Sequence, residues 1–172
     1  YGLSVRRAQM RALPTEVRFF AAADLRDNES LQAGILFPGE PVLIAHRSAD
    51  RRWVLALTTQ GPAWIRSEDI AEGKAEAVFA YANREPGRVV TGDQVRTVFT
   101  PEAPEVSELL LDMGTALPLA EVAPDQAVNG ASPYASWPLL LPVRGKDGAL
   151  ALKPALLRRR LGQAIEGNIQ AE

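Results

Sequence analysis

The residues able to carry chemistry are few. Of 172 residues none is cysteine and one, His46, is histidine. A thiolate nucleophile, a disulfide, a cysteine-held metal and any unit built on two imidazoles are therefore excluded. His46 falls on a predicted strand beside Ile44, with no Ser, Asp or second His nearby to form a relay. Its surroundings favour a packing or surface role over catalysis or metal binding. No phosphate-cradling glycine loop and no Gly-x-Ser-x-Gly elbow occurs. The chain is thus expected to hold no catalytic residue, no metal and no cofactor.

What remains are groups that bind. Asp24-Leu25-Arg26-Asp27-Asn28-Glu29 is an acidic stretch in a long loop. Carboxylates on such a loop can recognise a cation such as a free amine, or the Asp and Asn can simply form solvated turns. Trp53 and Trp137 are expected in the core, where aromatic side chains bury large areas. Trp64, on a short strand beside a turn, is the indole expected to stay partly exposed and to stack on a peptide or sugar. Arg158-Arg159-Arg160 point in different directions around the helix expected there. They read as a solvated surface with packed stems, not as a nucleic-acid contact.

The elements that must position these groups are β-strands. Hydrophobic residues make up 47% and charged residues 23% of the chain, a globular balance. Nineteen basic and twenty-one acidic residues leave a formal charge of −2, which argues against broad phosphate-backbone binding. No apolar run approaches the roughly 20 residues of a membrane-spanning helix. Tyr1 to Arg11 has no signal-peptide pattern, and a chain opening on Tyr reads as a processed or excised piece.

Short apolar runs separated by turn residues predict strands at Val17–Phe20, Pro41–His46, Trp53–Thr58 and Ala63–Arg66. Val42, Ile44 and His46 are expected on one face. Ser67–Ile70 is expected as a single helical turn, with Ser67 able to cap it. A weak repeat of this order follows. Gly114–Ala120 echoes Gly39–Ala45, the run from Trp137 echoes that from Trp53, Gly148–Leu152 echoes Gly61–Ile65, and Pro154–Leu157 echoes Ser67–Ile70. Ala75–Tyr81 alternates and is expected as a strand that either leads the second half or joins the two. Pro154–Leu161 is expected as a helix, with proline in its first turn and Leu157 and Leu161 on one stripe. The predicted architecture is all-β: two small barrels, residues 1–73 and 74–157, then a helix end and linker over 158–172.

Several of these runs resemble a bacterial family. Arg11-Ala12-Leu13-Pro14-Thr15, Ser30–Gly34, Pro38–Val42, the Ser-x-Asp-x-x-Trp feature of Ser48–Trp53, Ala63-Trp64-Ile65 and Glu68–Ala71 are similar to the SH3-like (SH3b) domains that precede NlpC-type cell-wall cysteine peptidases. One departure is Ala63, where the family usually has Gly before the Trp. The second half resembles the companion SH3-like domain, best at Gly114–Ala120 and Gly148–Leu157.

The resemblance implies the non-catalytic front of a γ-D-glutamyl-L-diamino acid endopeptidase of the cell envelope, with the catalytic domain expected after Glu172. It implies partners in that domain and in murein peptides. The first barrel would wall off one end of the substrate groove and read the free amine of L-Ala, since a buried ammonium needs a carboxylate partner. Asp27 or Glu29 is the expected carboxylate and Trp64 the expected aromatic. The alternative is a stand-alone scaffold that binds cell-wall glycan, peptide or a protein partner.

Overall fold

In a computed structural model, residues 1–20, 30–123 and 125–159 are described. Two strands that the sequence does not announce open the chain, β1 (Gly2–Ser4) and β2 (Ala8–Arg11). They join β3 (Gln32–Leu36), β4 (Pro41–Arg47), β5 (Trp53–Thr58), β6 (Gly61–Arg66) and β7 (Ile70–Glu72) in a sheet of order β3-β2-β6-β5-β4-β1-β7. The segment at Val17–Phe20, expected as the first strand, is irregular apart from a lone bridge at Phe20. Its backbone is held instead by side chains: Arg11 Nη2 donates to Val17 O at 2.7 Å, and Val17 N donates to Thr15 Oγ1 at 3.1 Å. Gly2 is required where β1 squeezes between β4 and β7, because a Cβ there would lie 2.6 Å from Ile70 Cγ2.

The inner face of this sheet follows the pleat. Val54 pairs with Ile65 and Ala56 with Ala63, and all four are buried with Met10, Leu36 and Val42. The expectation that Ile44 and His46 share a face is corrected by a bulge. Ile44 pairs with Ala56 but His46 pairs with Leu55, so one extra residue lies between them. The bulge leaves Ile44 against the core and sends His46 to the outer face.

The Ser48–Trp53 feature is the turn that closes β4 on β5. Ser48 Oγ donates to Asp50 Oδ1 at 2.6 Å and accepts from Trp53 N at 3.0 Å, while Arg52 N donates to Asp50 Oδ1 at 3.0 Å. These bonds hold the Asp50 carboxyl below its ordinary value, the Ser48 hydroxyl foremost. The motif therefore fixes a turn with Arg51 at φ 59° and places no reactive group. Ser48→Ala is expected to cost about 1 kcal/mol, read as a lower melting temperature with the native strand signal retained.

Ser67–Asp69 forms a 3-10 turn as expected, but without a side-chain cap; Ser67 Oγ donates to Arg51 O at 2.8 Å. Ala75–Ala82 is a helix, α1, and not a strand. Four alanines in eight residues favour helix, and the two buried residues, Val78 and Tyr81, are three apart, on one helical face.

The second half contains β8 (Gly87–Val89), β9 (Gln94–Arg96), β10 (Leu110–Asp112), β11 (Ala116–Pro118), β12 (Ser136–Arg144) and β13 (Leu150–Arg158). They pair as β10-β9, β11-β8 and β12-β13 around a core that includes Val106, Leu111, Leu117, Leu139, Leu141 and Leu157. No described sheet closes into a barrel.

The helix expected from Pro154 is replaced by the nine-residue strand β13, and the remainder from 160 lies outside the described residues. Pro154 thereby loses its repeat partner in the 3-10 turn at Ser67. The proline is tolerated because Pro138, Leu140 and Pro142 pair with Leu156, Pro154 and Leu152, one alternate set of cross-strand pairs. Their backbone polar groups face away from the partner strand, where a missing N–H breaks no ladder bond. The carbonyls of this set are used by neighbours: Ala120 N donates to Pro138 O, Val98 N to Leu156 O and Asn129 Nδ2 to Pro154 O.

A third apolar cluster joins the halves: Leu3, Val78 and Tyr81, with Leu140 and Leu150 against them. The Tyr81 hydroxyl donates to Leu140 O at 2.9 Å, and burial pushes its titration far above the ordinary phenol range. Glu72 N donates to Gly148 O at 2.9 Å, and Arg144 Nη1 donates to Ile70 O at 2.8 Å. The Pro38-Gly39 turn docks here too. Gly39 has φ +90°, and a Cβ would lie 3.1 Å from the Tyr81 hydroxyl.

Candidate ligand-binding face

The outer face of the first sheet carries the groups that could meet a ligand. Across β4, β5 and β6 one row reads His46, Leu55, Trp64, and Arg11 of β2 lies opposite Trp64. Trp64 is half-buried and His46 exposed, with the imidazole edge-on to the indole at 6.1 Å between ring centroids and an interplanar angle of 79°. A second row, Leu43, Leu57 and Pro62, is exposed beside it. This face offers apolar and aromatic contact. Trp64 is thus partly exposed, as its place beside a turn suggested.

Asp27 and Glu29 lie outside the described residues. Their flanks do not: Ser30 N donates to Phe19 O at 2.8 Å, and Ala12 N donates to Leu31 O at 2.9 Å. These bonds bring the two ends of the loop together beside the Arg11 end of β2, in the row that holds Trp64.

Trp53 is buried at the other end of this face, under Arg66, whose Cζ lies 5.7 Å from the indole centroid. Around it opens a cavity of about 440 Å³ lined by Arg7, Arg11, Arg18 and Arg66 and by Glu16 and Asp69. Glu16 pairs with Arg66 and, at 3.0 Å, with Arg52. Asp69 Oδ1 is 3.2 Å from Arg6 Nε. Burial pushes the Asp69 carboxyl up to about 6, outweighing the pull of Arg6. No local signal marks this cluster in the sequence, because its arginines come from three separated stretches and Arg66 reads as the end of a strand.

A further cavity of about 410 Å³ lies between the Phe37–Pro41 turn, the end of α1, and β8 and β11. Glu40 faces it, its carboxyl raised by burial although Phe37 N donates to Oε2 at 2.8 Å. Trp137, expected in the core, is only half-buried and lies against Arg88 and Arg159, with their Cζ atoms 4.6 and 4.1 Å from its centroid. Arg159 is thereby a packing side chain. Among the described residues no group of His, Asp and Glu is arranged to hold a metal, and no helix is long and apolar enough to cross a membrane.

Residues 18–66 match the family of SH3 domains of the SH3b1 type. That stretch contains β3 to β6 and the whole Trp64 row on β4, β5 and β6; it is an SH3-like domain. No curated protein matches the chain. Among solved structures it is similar to a novel NlpC/P60 endopeptidase from Photobacterium damselae subsp. piscicida, with a TM-score of 0.68 and 23% identity over 89% of this chain. At that identity the likeness is one of fold. The chain spans 30% of the length of that structure.

Proposed function

We propose that the chain is the non-catalytic, cell-wall-targeting and substrate-gating part of a murein stem-peptide endopeptidase of the cell envelope. One observation carries this reading: an SH3b1-type domain at 18–66 sits inside a fold that follows an NlpC/P60 endopeptidase over most of the chain. In this reading the second half is a companion SH3-like domain, the catalytic partner is a peptidase domain of the same protein, and the ligands are murein peptides. The first domain leans on the peptide groove with its outer face. Trp64 packs on the peptide, and Asp27 or Glu29 takes the free amine of L-Ala from the loop whose ends meet beside Arg11. A carboxylate in that place rejects peptides whose amine is still acylated by the glycan, because burying it unpaired is costly.

The test uses the longer protein with its peptidase domain. Cleavage of L-Ala-D-Glu-containing peptides with free and N-acylated termini is compared in the unmodified protein, in Trp64→Ala and in the double variant Asp27→Asn/Glu29→Gln. Trp64→Ala is expected to raise KM about tenfold, and the double variant to lose at least tenfold of its preference for the free amine. Unchanged selectivity in the double variant removes the gating role. The exposed apolar row Leu43, Leu57 and Pro62 favours a second reading, a scaffold that binds cell-wall material or a protein partner by itself. A sacculus pull-down with the 172-residue chain separates them: capture without the peptidase domain supports the scaffold.

A further inference from the structure

The cavity beside the end of α1 holds two opposite charges that no described residue pairs. It measures about 410 Å³, within the range of small-ligand pockets, and its ionised side chains are Glu40, Arg84, Glu85 and Arg88. Arg84 is satisfied, since its Nη2 lies 2.7 Å from Glu121 Oε1. Glu85 is exposed to water and accepts a bond from Gly87 N at 3.0 Å. The other two are half-buried. Glu40 Oε2 accepts from Phe37 N at 2.8 Å, which fixes the carboxyl in place but brings no charge. Burial raises this group, and no cation opposes the rise. Arg88 Nη1 donates to Gly87 O at 2.8 Å, and its Cζ lies 4.6 Å from the Trp137 centroid. Both contacts orient the guanidinium without cancelling its charge. Among the described residues no carboxylate pairs with Arg88 and no cation with Glu40, so the two do not pair with each other. Opposite charges held apart in one half-buried cavity suit a ligand that carries both signs. Phe37, Leu117 and Pro118 supply an apolar wall for the part between them.

We propose that this cavity binds a zwitterion, a free amino acid or a short peptide, with its ammonium on Glu40 and its carboxylate on Arg88. It uses no residue of the gating role above, so either can fail alone.

An NMR titration of the 172-residue chain with leucine and, separately, with glycyl-leucine tests it. Saturable shifts of the Glu40 and Arg88 amide signals are expected, and the tighter probe assigns the ligand as an amino acid or a peptide. Acetylating the amine of that probe, or amidating its carboxylate, is expected to weaken binding about tenfold in each case, the scale of one charge-assisted hydrogen bond. Glu40→Gln is expected to lose the acetylation penalty and keep the amidation penalty, and Arg88→Gln to do the reverse. Ala116→Trp fills the cavity from an exposed position and is expected to abolish the shifts. The blocked probes and Ala116→Trp decide the matter even where a charge variant fails to fold. No saturable shift with either probe, undiminished binding of the blocked forms, or unaltered binding in Ala116→Trp overturns the site. Shifts at Trp64 with none at Glu40 and Arg88 do the same, because they assign the probe to the outer face.

Discussion

Tyr81→Ala is expected to destabilise the chain by about 3–5 kcal/mol, the scale of a large-to-small change in a packed interior. The residue is 3% exposed and occupies the cluster that holds α1 against β1 and β12. Its removal deletes the ring and leaves the Leu140 carbonyl without the hydroxyl that donates to it. The Pro38-Gly39 turn also loses its support, since Gly39 approaches the Tyr81 side chain closely. Tyr81→Phe separates the two contributions. It keeps the ring, removes the hydrogen bond, and is expected to cost about 1 kcal/mol. Urea denaturation of both variants checks the pair. Equal losses would mean that the hydroxyl, and not the packing, dominates the junction.

The second large effect is a pH dependence centred on Asp69. Its carboxyl is raised from 3.8 to about 6, first by burial, with Glu68 adding to the rise and Arg6 and Arg66 opposing it. Between those values the folded chain holds a proton that the unfolded chain has released. The stability linked to this proton is fully present below about pH 4 and is lost as pH rises through about 6. A rise from 3.8 to about 6 corresponds to about 3 kcal/mol at most.

Asp50 and Glu105 run the other way. Both are held below their ordinary values, Asp50 by the Ser48 hydroxyl and Glu105 by Lys153, so both weaken the fold on acidification. The Asp69 contribution is therefore isolated as a difference. Asp69→Asn is expected to gain stability relative to the unmodified chain as pH is raised from 4.5 to 7.5, read from melting temperatures at each pH. A constant difference across that range would show that Asp69 does not titrate there.

The legible part of the fold was the part held by local pattern. Trp53–Thr58 is a short apolar run bounded by turn residues and forms β5 over those same residues, and Pro41–His46 reappears as β4 with one residue added. The polar run Ser48–Arg51 between them is turn material, and the bonds that close the turn are all local. Elements whose existence depends on distant partners were not legible. β1 has three residues, and its place between β4 and β7 is set by contacts some forty and seventy residues away. Ala75–Tyr81 alternates on paper, yet Val78 and Tyr81 share one helical face once Leu3 and Leu140 stand opposite. Pro154 carried a helix-start signal that the outward-facing pairs of a two-stranded ribbon override. At the candidate site Trp64 was visible from its place beside a turn. The arginine cavity was not, since no window of sequence contains more than part of it.

The hydrogen bonds at the junction have a consequence for ligand binding. Glu72 and Gly148, Arg144 and Ile70, and Tyr81 and Leu140 are joined across it, and each bond ends on a main-chain carbonyl. Arg7 adds an ion pair to Asp112 at 2.9 Å. Bodies linked by a flexible tether lose rotational freedom when one ligand spans them, and affinity falls accordingly. Here that freedom is already spent in folding. A ligand touching both halves meets a surface of settled curvature, and its affinity depends on fit and not on the cost of closing a hinge.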